Sequence, residues 1–135
     1  FPKDEKIVNL PEPGLRVVKY NLPPGVKEKT DISLPQGSLL SIAYASLVEK
    51  PDPVVHEISA AVAIGVPDNP DDVGVIMEFS DICDESTAKE KATNMVKTAM
   101  KDRNIQNYST KSASVSSTTS KDHYTSVFAY VALFE

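Results

Sequence analysis

Apolar positions along this chain recur with two different periods, and the switch between them divides the chain into elements. Residues 38–48 are rich in Leu, Ile, Ala and Tyr and read as a well-buried strand. Residues 54–66 form a second apolar run and 73–79 a third. Between these two runs stands Pro67-Asp68-Asn69-Pro70-Asp71-Asp72, a dense turn signal that predicts an antiparallel hairpin. The period then lengthens. Ala88, Ala92, Met95, Val96, Ala99 and Met100 recur three and four residues apart, the stripe of one amphipathic helix. Asp84 or Ser86 can cap it, and the acidic Asp84 and Glu85 suit the positive end of its dipole. Lysines 89, 91, 97 and 101 lie largely off the stripe, so Met95 and Met100 read as core packing. The helix is expected to end near Arg103-Asn104. Residues 108–119 alternate Ser, Thr and Ala, predicting a strand with one wet face. Residues 124–134 are strongly apolar and read as a central strand.

The first third has a different texture. Pro2, Pro11, Pro13, Pro23, Pro24 and Pro35 remove ladder donors and restrain their neighbours, so extended segments and turns are expected. Ile7-Val8 and residues 15–20 are candidate short or edge strands. The order is arm, three strands, helix, two strands. This predicts one α+β domain over 1–135, a layered sandwich of mainly antiparallel β-sheet with a helix packed on it. The arm spans 1–33 and the sandwich core 34–135.

Composition narrows the chemistry. The 135 residues are 41% hydrophobic and 24% charged, enough apolar material for a core. A net charge of −5 argues against nucleic-acid and anionic-membrane surfaces and favours cationic ligands. Cys83 is the one cysteine, which excludes an intrachain disulfide and fits a reducing cytoplasm. His56 and His123 belong to no metal-ligand motif, and no Gly-rich phosphate loop is present. The apolar runs are far shorter than a membrane span. The chain starts at Phe1, where initiator-Met removal is not expected, so a trimmed terminus and proteolytic maturation both stand as readings.

One residue breaks the apolar pattern. Glu78 sits in Val73-Gly74-Val75-Ile76-Met77-Glu78-Phe79. An outward-facing charge on a strand is the plain reading. The sharper one is a carboxylate that loses hydration on folding, which raises its pKa and suits it to donate a proton near neutral pH.

Three blocks carry a resemblance. They are Gly37-Ser38-Leu39-Leu40 with Ala43-Tyr44, then Glu57-Ile58-Ser59-Ala60-Ala61-Val62, then Gly74-Val75-Ile76-Met77-Glu78-Phe79. Together with the capped helix after Cys83 and the apolar last strand, residues 34–135 resemble the pyruvoyl-dependent arginine decarboxylases, whose fold is an αββα sandwich. Such proteins are made as a proenzyme cleaved at a serine, which becomes the pyruvoyl group heading the large chain. A segment of the Val-Leu-Pro-Lys or Ile-Met-Pro-Pro kind follows it. Two registers fit. In the first, Phe1-Pro2-Lys3-Asp4-Glu5-Lys6-Ile7-Val8 is that segment, the pyruvoyl lies immediately upstream of Phe1, and residues 12–33 are an insertion. In the second, Leu22-Pro23-Pro24 takes the position, and Lys19-Tyr20 stands where serine is required. The first matches over more residues and is preferred.

The resemblance implies decarboxylation of L-arginine to agmatine, the pyruvoyl carbonyl forming a Schiff base with the substrate and drawing electrons from the scissile bond. Carried across, the proton donor is Glu78, and Phe1, Pro2 and Met77 are candidate pocket residues. It also implies a covalent pyruvoyl cofactor without metal or pyridoxal phosphate, a small β chain from the same proenzyme, and a trimer of αβ protomers in the cytoplasm serving polyamine biosynthesis or acid resistance. Two alternatives remain open: a non-catalytic paralogue acting as a binding or structural protein, and a pyruvoyl decarboxylase for another amino acid.

Overall fold

The computed structural model describes residues 15–16, 33–34, 39 and 41–133. Strands β1 (Leu15–Arg16) and β2 (Ser33–Leu34) pair antiparallel, with Leu15 opposite Leu34. The remaining elements are β3 (Ser41–Glu49), β4 (Glu57–Pro67), β5 (Val75–Asp81), α1 (Glu85–Asp102), β6 (Tyr108–Thr118) and β7 (Thr125–Leu133). They form three layers. A two-stranded sheet, β3-β7, packs on a three-stranded sheet in the order β5-β4-β6, and α1 covers the far side of that second sheet.

β4 is the central strand and is buried on both faces, which is why its sequence reads as an uninterrupted apolar run. Ile58, Ala60 and Val62 point to the inter-sheet core with Ala45, Val115, Val127 and Ala129. Ala61 and Ala63 face α1, packing with Ala88, Ala92, Val96 and Met100. Gly65 continues that second face. A Cβ there would lie 2.5 Å from Met100 Cε and 2.6 Å from Val96 Cγ1, so only glycine lets the helix lie this close.

The β4–β5 hairpin forms as predicted, with Val62 opposite Glu78. In its turn, Asn69 accepts from Asp71 N–H through its side chain and from Asp72 N–H through its carbonyl. β4 starts later than the apolar pattern suggests. Asp52 Oδ1 accepts from Val54 N–H in a local turn, leaving Val54 and Val55 exposed.

Asp84 is the helix cap. Its side chain accepts from Thr87 N–H at 2.7 Å, from the Ser86 hydroxyl at 2.6 Å and from the Thr87 hydroxyl at 3.0 Å. Those bonds, that to Ser86 first, hold its carboxyl below the usual carboxylate range. A depressed folded pKa adds stability that is full above the ordinary aspartate value near 4 and is lost as pH falls through the lower folded value. Acid unfolding followed by circular dichroism should therefore show a steeper loss of stability below about pH 4 in the wild type than in Asp84→Asn, which keeps an acceptor but does not titrate. Identical acid profiles would remove Asp84 as a contributor.

Two expectations change. The apolar 124–134 run is not a central strand: β7 pairs only with β3 among the described residues. Its hydrophobicity serves two faces, Val127 and Ala129 in the inter-sheet core and Phe128 with Tyr130 on the outside. Phe128 lies 5.1 Å from Tyr44 and 5.6 Å from Tyr130, an aromatic row on the outer face. The expected α+β layered sandwich, antiparallel sheets with a helix packed on them, is what the described residues form. The wet face of β6 also has a protein partner. The Ser114 and Ser116 hydroxyls donate to Glu85 at 2.9 and 3.4 Å, tying the first turn of α1 to the sheet.

Candidate active site

Both β3 and β5 have one unpaired edge among the described strands, and these edges meet across the two sheets. The Ser80 hydroxyl of β5 donates to the Ser46 carbonyl of β3 at 3.0 Å and pins them at one point. Beside that point opens a cleft of about 500 Å³, walled by residues 42–46 of β3 and by Ile76, Glu78, Phe79 and Ser80 of β5. Glu78 is its only carboxylate among the described residues. Tyr44, Ser46 and Ser80 add polar groups, and Ile42 and Ile76 add apolar surface.

Strand alternation puts Glu78 there. Val75, Met77 and Phe79 turn toward α1, whereas Ile76, Glu78 and Ser80 border the cleft. The expected desolvation of Glu78 is not met in this chain: its side chain is exposed. β5 is an edge strand of its sheet among the described residues. Met77 does not line this cleft. It packs against the helix-side core. Phe1 and Pro2 lie outside the described residues.

Cys83 lies outside the cleft wall and accepts from the Ser59 hydroxyl through its carbonyl at 2.8 Å. Burial, then Asp81, Asp84 and Glu57, push its thiol up, which disfavours the thiolate a nucleophile needs. Among the described residues no cluster of three His, Cys, Asp or Glu side chains could hold a metal, and no helix is long and apolar enough to cross a membrane.

Sequence reasoning missed Ile42, Ser46 and Ser80 as neighbours of Glu78. Tyr44 stood in a recognised block, but nothing local shows that β3 and β5, distant in sequence and in different sheets, face one another. The alternating pattern of each strand was the available signal, and it names faces without naming partners.

No curated protein matches the chain. A family model, pyruvoyl-dependent arginine decarboxylase, matches residues 21–135, a span that contains every residue of the cleft wall. The match begins at Asn21 and takes in Leu22-Pro23-Pro24, leaving residues 1–20 outside it. With well over half of its length matched and a sandwich of antiparallel sheets and one helix, the chain belongs to the pyruvoyl-dependent arginine decarboxylase family.

Proposed function

We propose that this protein takes part in the decarboxylation of L-arginine to agmatine and carbon dioxide, with Glu78 returning a proton to the α-carbon. The observation that carries this reading is the placement of Glu78, the one carboxylate among the described residues on the wall of the β3–β5 cleft. Loss of carbon dioxide leaves an electron pair on the α-carbon, and a positioned acid of this kind contributes about 10²–10⁴-fold. The apolar walls at Ile42 and Ile76 suit the aliphatic part of such a substrate. The net charge of −5 favours a cationic one.

A pyruvoyl group, when present, supplies the carbonyl that draws the electron pair of the breaking bond. It is made from a serine, and residues 1–32 contain none. They do not fit as its source, and the group comes from outside them. Closure of the cleft over the exposed Glu78 is assigned to a small β chain and to neighbouring protomers of a trimer. A cytoplasmic place in polyamine biosynthesis or acid resistance, without metal or pyridoxal phosphate, completes the reading.

The test is turnover by a preparation that carries the ketone, supplied with arginine. Agmatine and carbon dioxide should appear one for one. Turnover of aspartate or histidine instead would move the protein to another substrate, and no turnover of any amino acid would favour the non-catalytic paralogue. One observation favours that second reading. The family match begins at Asn21 and leaves out Phe1-Pro2, which supports the register in which Lys19-Tyr20 stands where serine is required.

A further inference from the structure

Self-cleavage that leaves a ketone at a new N-terminus needs an oxygen on Cβ. The hydroxyl attacks the preceding carbonyl, the peptide C–N bond breaks and an ester forms. Elimination then breaks the Cβ–O bond, water adds, ammonia leaves, and the ketone remains. The family match covers Leu22-Pro23-Pro24 and not Phe1-Pro2, in keeping with the register in which Leu22-Pro23-Pro24 follows the cleavage point. The residues before Leu22 are Lys19-Tyr20-Asn21. Asn21 carries a carboxamide on Cβ and Tyr20 a phenol ring, so neither offers the oxygen. The first serine, Ser33, already lies in β2 opposite Arg16.

We infer that this chain stays uncut at Tyr20-Asn21-Leu22 and that its Glu78 cleft takes the reactive carbonyl from another, self-cleaved chain of the same family. The inference rests on the decarboxylase reading of the cleft. Its second support is geometric: Glu78 is exposed on an open wall, and no described residue of its own chain stands over it. An N-terminal ketone on a neighbouring chain can therefore approach the carboxylate. The site is then shared, with the acid from this chain and the ketone from its neighbour.

The full gene product should be purified, its intact mass measured, and its ketone content probed with an aminooxy reagent. One continuous polypeptide without an adduct is expected, silent toward arginine when alone. It is then mixed with a self-cleaved family member in which the glutamate matching Glu78 has been changed to Gln. Agmatine formation should rise about 10-fold or more over the unmixed preparations, and the rise should vanish when this chain carries Glu78→Gln. A ketone on this chain, with turnover of arginine by it alone, overturns the inference and leaves the decarboxylase reading standing. An uncut chain that forms a mixed assembly without any rise in turnover overturns both.

Discussion

Replacing Glu78 with Gln is expected to slow agmatine formation by about 10²–10⁴-fold in any preparation that carries the ketone, the size of a lost general acid. Gln keeps the length and hydrogen-bonding shape of the side chain but has no proton to give to the α-carbon. The loss should fall on kcat more than on KM, because the missing interaction belongs to the transition state. Stability should hardly change. Glu78 is exposed on an edge strand, and surface substitutions of this kind usually stay within about 0.5 kcal/mol. Steady-state kinetics and a thermal melt of the same sample separate the two effects. Turnover like that of the wild type would take Glu78 out of the mechanism.

The largest stability effect is expected at Ile58. This side chain is fully buried in the core between the sheets, packed with Val62, Val115, Val127 and Ala129. Truncation to Ala removes its transfer energy and leaves a void, a loss of about 2–5 kcal/mol. Against a total stability of about 5–15 kcal/mol that is a large share. Tm should fall by roughly 10 °C for a domain of this size. Ile58→Val should cost about 0.5–1.5 kcal/mol, which separates a packing effect from a general intolerance of the site. The same core sets the spacing of the sheets carrying β3 and β5, so activity should fall with the melt in the Ala variant and recover in the Val variant. A melt of Ile58→Ala that matches the wild type would show that the two sheets are not held together there.

Exposure of Glu78 sharpens its chemistry. An apolar run in sequence suggests a buried acid, yet burial is decided by what stands over a side chain, not by its chain neighbours. Met77 and Phe79 spend their apolar surface on the helix, and Glu78 looks the other way. None of the described residues buries this carboxylate.

The helix and its cap were legible because the determinants are local. Asp84 reaches Thr87 within one turn, and the Ala88, Ala92, Val96 and Met100 stripe follows from the helical period alone. The β4–β5 hairpin was legible for the same reason, its Pro- and Asp-rich turn lying between two β-rich runs. The split of the five main strands into two sheets was not. Strands 108–118 and 125–133 look equally able to extend one sheet, and pairing partners are chosen by long-range packing. The cleft is a product of that choice.

From its sequence alone the chain is an α+β sandwich carrying one acid in an apolar strand and no serine in its first 32 residues. These are matters of period, composition and side-chain chemistry, which act over a few bonds. Tertiary structure decided that the acid lies on the open side of an edge strand, that Met77 belongs to the core, and that Tyr44 and Ser46 share the cleft with Glu78. Those outcomes depend on which sheet faces meet. Burial of Ile58, Val62 and Val127 between the sheets settles that over distances the sequence pattern does not encode.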